Sequence, residues 1–199
     1  DFTDELIKVI ADNPKIARML HLPLQAGSTK ILDAMNRGYT KEEFIALAQK
    51  IKKAIPDIGL TTDIIVGFPG ETDEDFQDTL DVVKAVNFEN AFMFSYSKRT
   101  GTPAATLEEQ VSEQVKKERL QQLIRLQNDR AKEESKKYLG QTLRVLVEGP
   151  SRKNPEMTAG RSSSHKIVLF KSDTDLTGKF ADVKIYETKT WTLYGELVK

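Results

Sequence analysis

The chain has 199 residues, 39% hydrophobic and 30% charged, the balance of an ordinary globular protein, with basic and acidic residues cancelling to a formal net charge of zero. It contains no cysteine, which excludes disulfides, thiolate metal sites and cysteine nucleophiles among these residues, and its two histidines, His21 and His165, stand too far apart in sequence to suggest zinc. No apolar run approaches the roughly 18 to 20 residues of a membrane span, and the opening Asp1-Phe2-Thr3-Asp4-Glu5-Leu6 is neither a signal peptide nor a start at Met, so a piece of a longer chain is expected.

Met19-Leu20-His21-Leu22-Pro23-Leu24 reads as a strand. Ser28–Asn36 and Lys41–Ala54 read as helices, the second opened by Thr40 with Glu43 three residues on, a capping box. Gly59–Phe68 is a strand whose nearly unbroken apolar centre implies cover on both faces. Thr72-Asp73-Glu74-Asp75 opens a helix running to about Val86, its acids at the positive end. Ala91–Tyr96 is the next strand. Alternating strands and helices predict parallel βαβ units. Three strands are too few to close a barrel, so the sheet is either small and open or short of strands that precede residue 1.

After the loop Gly101-Thr102-Pro103-Ala104, a long helix is predicted over Ser112–Lys137, with Leu120, Leu123, Ile124, Gln127 and Ala131 on one face and Gly140 just past its end. From Thr142 the period drops to two. Leu143, Val145 and Val147 alternate with outward positions, and further strands are predicted at Met157–Gly160, Lys166–Phe170, Phe180–Thr188 and Trp191–Val198. Five short strands without helices predict a small closed β-barrel. The expected domains are 1–137 and 138–199. The second carries 10 Lys and Arg against 7 Asp and Glu, the first 20 against 23, which suggests where a polyanion would sit.

Three stretches are candidates for chemistry. In Gly67-Phe68-Pro69-Gly70-Glu71-Thr72, glycines between a strand and a capped helix either let a ligand approach the backbone or serve the turn's own geometry. Asp63, an acid inside an apolar strand, is either a ligand contact or the partner of a helix Lys or Arg. In Leu22-Pro23-Leu24-Gln25-Ala26-Gly27-Ser28, Gln25 ends a strand and Ser28 is placed to cap a helix. Arg37, nine residues after Ser28, has the fork that holds a carboxylate, although from the residues alone a surface role is the commoner one.

Taken together, residues 21–28, Met-Asn-Arg-Gly-Tyr-Thr at 35–40, Thr-Asp-Ile-Ile-Val-Gly-Phe-Pro-Gly-Glu-Thr at 62–72 and Phe-Ser-Tyr-Ser-Lys-Arg-Thr-Gly-Thr-Pro-Ala-Ala at 94–105 resemble the radical-SAM methylthiotransferase family in order and spacing. Ala159–Ser162, Lys166–Phe170, Ile185–Thr188 and Trp191–Leu197 resemble the TRAM domain that closes these enzymes. The resemblance implies a fold of class α/β plus all-β: a partial radical-SAM (βα) barrel, then a five-stranded, OB-like TRAM barrel. Residues 149–156 are most similar to the branch that modifies N6-isopentenyl-adenosine at position 37 of the tRNA anticodon loop, placing a methylthio group on C2 of the adenine. The runner-up branch modifies an aspartate of ribosomal protein S12. A third alternative, from another class, is a non-catalytic RNA-binding module.

The family uses S-adenosylmethionine and two 4Fe-4S clusters, whose cysteine ligands this chain lacks. The chain alone is therefore expected to be inactive and iron-free, with an amino-terminal domain as missing partner. The full-length protein is expected to be a cytoplasmic monomer. By the resemblance, Gln25, Arg37, Asp63, Val66, Gly67, Ser95 and Ser97 would contact S-adenosylmethionine. Arg161, Lys166 and Lys189 are candidates for RNA phosphates, and Trp191 and Tyr194 for base stacking. For Trp191 packing in the core is the favoured alternative. No general base and no metal ligand are assigned.

Overall fold

The computed structural model describes residues 2–198, which fall into two compact units, 20–56 with 60–130, and 2–19 with 57–59 and 131–198. No helix among the described residues is long and apolar enough to cross a membrane.

The elements follow the chain as α1 (Asp4–Asp12), β1 (Met19–His21), α2 (Thr29–Ala34), α3 (Lys41–Ala54), β2 (Gly59–Val66), α4 (Asp73–Val86), β3 (Asn90–Ser95) and α5 (Glu113–Ser135). The barrel strands are β4 (Thr142–Pro150), β5 (Thr158–Ser162), β6 (Ile167–Phe170), β7 (Phe180–Thr188) and β8 (Thr192–Leu197).

In the first unit the sheet order is β1-β2-β3, with β2 and β3 parallel. One face of β2 carries Leu60, Thr62, Ile64 and Val66, all 0% exposed. Helix residues such as Phe44, Ala48 and Ile51 of α3, Val82, Val83 and Val86 of α4 and Leu123 of α5 are buried with them. Burying each large apolar side chain contributes roughly 1.5–3 kcal/mol. The predicted capping box of α3 is present: the Thr40 hydroxyl accepts the Glu43 N–H at 3.2 Å and Glu43 accepts the Thr40 N–H at 2.8 Å. On α5, Gln127 is fully buried and its amide donates to the Phe88 carbonyl at 3.0 Å.

Two expectations change at the sheet edge. The first strand stops at His21 because Pro23 cannot donate to a ladder. Beyond it, the chain forms a parallel bridge to β2 between Gln25 and Ile64. The helix predicted over Ser28–Asn36 is shorter: Asn36 turns left-handed (φ 58°), and the Arg37 N–H closes back onto the Leu32 carbonyl at 2.9 Å.

In the second unit β4-β5-β6-β8-β7 form a closed barrel, all antiparallel except β6 with β8. Val145, Val147, Val168, Phe170, Val183, Ile185 and Leu193 fill it, as the period-two pattern requires. The structure adds α1, which the sequence reading did not predict. The Thr3 hydroxyl caps it by accepting the Leu6 N–H at 3.3 Å, and Ile7 and Ile10 are its buried face. The Arg18 guanidinium closes its far end on the carbonyls of Ile10 and Ala11.

Candidate functional site

The carboxyl ends of the strands form the edge where parallel sheets bind ligands. Gln25, Gly67 and Ser95 all lie there. Gln25 is in the left-handed region (φ 71°), its N–H donating to the Asp63 carbonyl at 2.8 Å and its carbonyl accepting from Ile65 at 2.9 Å. Ser95 is the register partner of Val66, and Ser97 is exposed just beyond the strand. The Val66 side chain is fully buried, which leaves its backbone alone to meet a ligand.

Opposite the helix-covered face of the sheet lies a face bearing Thr61, Asp63 and Ile65, with Phe92 and Phe94 beside them in register. Phe92 and Phe94 are 50% and 53% exposed. Among the described residues, Asp63 meets no helix Lys or Arg. Its partner is His21, Nε2 to Oδ2 at 3.3 Å, while the other ring nitrogen bonds the Thr61 hydroxyl at 2.9 Å. With Nε2 donating to the carboxylate, Nδ1 accepts from Thr61, so a neutral ring satisfies both bonds. His21 was not among the residues picked from sequence. Its signal is register: it stands opposite Thr61 and Asp63 across two strands about forty residues apart.

Two of the sequence motifs are locked together at α4. The Gly27 N–H donates to the Thr79 hydroxyl at 2.9 Å. Ser28 stands at the N-cap of α2, yet its hydroxyl makes no cap bond and donates instead to Asp75 at 2.6 Å. Lys30 reaches the other oxygen of Asp75 at 2.8 Å, and the Thr72 N–H reaches it at 2.9 Å. Burial raises the Asp75 pKa, but the bonds from Lys30, Ser28 and Thr72 outweigh it and hold the carboxyl at about 2. Residues 35–40 brace residues 22–28 through Tyr39, whose hydroxyl lies 3.1 and 3.0 Å from the carbonyls of Pro23 and Leu24. Arg37 beside it is exposed.

Gly67 adopts φ +74°, open to glycine at little cost. The Glu71 carboxylate folds back to accept its N–H at 2.9 Å. Burial pushes the Glu71 carboxyl up, against the pull of that N–H and of Arg119.

On the barrel, Lys189 lies 4.7 Å over the Tyr194 ring and 3.5 Å from Glu187. Arg161 points outward and pairs with Glu148 at 2.7 Å. Arg161 and Tyr194 share the outer face with β6 between them. Trp191 is 40% exposed, contrary to the core packing favoured from sequence: it precedes β8, in the turn where the Lys189 N–H bonds the Thr192 carbonyl, so the strand alternation does not govern it. Lys166 is 5% exposed and turned inward, its ammonium 3.2 Å from the Ser135 hydroxyl and 6.0 Å from the Tyr138 ring.

Comparison with known proteins adds identity to this geometry. The family model for the radical SAM superfamily matches residues 1–83, and that for the TRAM domain matches residues 136–198. The tRNA-2-methylthio-N(6)-dimethylallyladenosine synthase of Fusobacterium nucleatum is 60% identical over 198 residues, 100% of this chain and 46% of that protein. Proteins of the same name from Acetivibrio thermocellus and Thermoanaerobacter pseudethanolicus are 55% and 52% identical, each over 100% of this chain and 42% of the relative. The chain thus spans less than half the length of these relatives.

Proposed function

The chain belongs to the radical-SAM methylthiotransferase family, and we propose that it is the cofactor-holding and RNA-gripping part of an enzyme that places a methylthio group on C2 of N6-isopentenyl-adenosine at position 37 of tRNA. The observation that carries this reading is the open sheet face, where a carboxylate oriented by His21 stands beside two exposed phenylalanines and leads toward the carboxyl-end edge at Gln25, Gly67 and Ser95. The substrate is taken from what the relatives are named for.

The donor set fits S-adenosylmethionine. Asp63 offers an acceptor for ribose hydroxyls and a counter-charge for a sulfonium, and Arg37 offers a fork for the amino-acid carboxylate. The face of Phe92 and Phe94 excludes water from the apolar parts of the molecule. When bound, this cofactor supplies the radical chemistry and the methyl group. The part of Gln25, Gly67, Ser95 and Ser97 is to position it, Gly67 through a backbone that a ligand can approach closely. The residues do not fit an iron–sulfur cluster. There is no thiolate in the sequence, and no group of three or more His, Cys, Asp or Glu among the described residues could hold a metal. Cluster ligands belong, in this reading, to the part of the whole enzyme outside this chain.

On the barrel, Trp191 and Tyr194 stack on unpaired bases of the anticodon loop, and Lys189 and Arg161 contact phosphates. Lys166, being buried, takes no part. Trp191→Ala is expected to weaken binding of an anticodon stem-loop about tenfold, the usual worth of one stacked base. Lys189→Ala should lower the slope of log affinity against log salt by about one. Titrations of the whole enzyme at several salt concentrations measure both, and unchanged affinity and slope would remove this face from the RNA site. For the reaction itself, nucleoside mass spectrometry of tRNA from a strain lacking the gene should show loss of the 2-methylthio group. Retention of that group together with unmodified ribosomal protein S12 would establish the other branch instead.

A further inference from the structure

Helix α5 reaches the Gly67 turn at two points. Arg119 donates to the Glu71 carboxylate at 2.8 Å, on the same oxygen that accepts the Gly67 N–H. Its guanidinium also reaches the Glu71 carbonyl at 3.1 Å and Asp73 at 2.7 Å. One turn earlier on α5, the stem of Lys116 runs beneath Gly67, where an added Cβ would sit 2.4 Å from the Lys116 Cγ. The Lys116 ammonium lies 5.3 Å from the centre of the Tyr96 ring, and the Tyr96 N–H bonds the Val66 carbonyl at 2.8 Å.

The Arg119 and Glu71 side chains are 7% and 1% exposed. A charged pair buried this deeply is a poor way to stabilise a fold, because desolvation offsets much of its attraction and an apolar pair of similar volume does as well. An apolar pair lacks the ability to fix backbone atoms in place. Here one guanidinium nitrogen holds both the carbonyl of residue 71 and the carboxylate oxygen that draws in the Gly67 N–H, while the other prong of the fork is anchored on Asp73. We infer that Arg119, with Lys116 beneath Gly67, is a positioning residue for the nucleoside end of S-adenosylmethionine: it sets the backbone of residues 67–71 against which the adenine lies. This rests on the cofactor reading above.

The test uses the full-length, cluster-reconstituted enzyme, with S-adenosylhomocysteine as calorimetric probe and an anticodon stem-loop as control ligand. Two variants are compared with the parent. Arg119→Lys keeps the charge and loses the fork, and the double variant Glu71→Gln, Arg119→Met leaves no unpaired buried charge. Both are expected to bind S-adenosylhomocysteine about tenfold more weakly and to raise KM for S-adenosylmethionine by a similar factor, with kcat at saturation and stem-loop affinity within about twofold. Unchanged S-adenosylhomocysteine affinity in both variants overturns the inference. So does an equal loss of affinity for both ligands with a lowered Tm, which marks a purely structural tie. A parent enzyme that does not bind S-adenosylhomocysteine overturns the cofactor reading and this inference with it.

Discussion

Replacing Gly27 by alanine is expected to destabilise the protein by about 3 kcal/mol, the upper end of what overpacking costs. A Cβ on Gly27 would lie 2.3 Å from the Cα of Thr79, 2.6 Å from its nitrogen and 2.7 Å from the Asp78 carbonyl oxygen. All three are backbone atoms of α4, so no side-chain rotation relieves the contact. The segment must lift off the helix, losing the Gly27–Thr79 and Ser28–Asp75 hydrogen bonds and moving Gln25 with it. Gly38→Ala is the control: nothing lies within 4 Å of its added Cβ, and a change within about 0.5 kcal/mol is expected. Urea unfolding of the two variants measures the difference. Equal midpoints would mean that the close seat of residues 25–28 on α4 is not needed.

The second large effect is electrostatic. Asp75 is 8% exposed and receives bonds from Ser28, Lys30 and Thr72. Its carboxyl is held at about 2, below its ordinary value of 3.8. A depressed acid stabilises the fold above the unfolded-state value, and that contribution is lost as pH falls through the folded one. The difference is worth roughly 2 kcal/mol at neutral pH. Asp75→Asn is expected to lose at least this much at pH 7, since an amide also turns a donor toward the Thr72 N–H or the Lys30 ammonium. The gap between parent and variant should narrow as pH falls from about 4 toward 2, because only the parent has a charge there to lose. Denaturation across that range measures it. A gap that stays constant with pH would show that the loss comes from packing and not from the ionised carboxylate.

The fold was legible where local rules decide. The limits of α3 and β7 follow from the Thr40–Glu43 box and from strict alternation, and both agree with the structure to the residue. What the sequence concealed depends on partners distant in the chain. Asp63 reads from sequence as either a ligand contact or the partner of a helix cation, and the partner it meets is His21, a choice made by strand register. Ser28 reads as a cap from its neighbours alone, until Asp75 of another helix takes its hydroxyl. Trp191 continues an apparent alternation but lies before the strand begins, and Lys166 looks like a surface cation until Ser135 and Tyr138 are placed over it. α1 escaped notice because only Ile7 and Ile10 mark its buried face in nine residues. Among the proposed cofactor residues, Gln25, Gly67 and Ser95 lie at one edge of the sheet because β2 and β3 run parallel and end together, and the segment after β1 returns to β2 at the Gln25–Ile64 bridge. That follows from topology. The brace from α5 does not, because nothing in the spacing of Glu71 and Arg119 announces a pair forty-eight residues apart.

The barrel's strand order carries a consequence for synthesis. β8 is inserted between β6 and β7, so it joins two strands that are already made when it leaves the ribosome. Until Leu197 has emerged, β6 has one unpaired side, and the hydrophobic interior around Val168 and Phe170 is not enclosed. The strands β1, β2 and β3 lie much earlier in the chain. The nascent chain therefore completes β1, β2 and β3 first, and its barrel closes in one late step. An interrupted chain would present an open β-edge to its neighbours and no closed barrel.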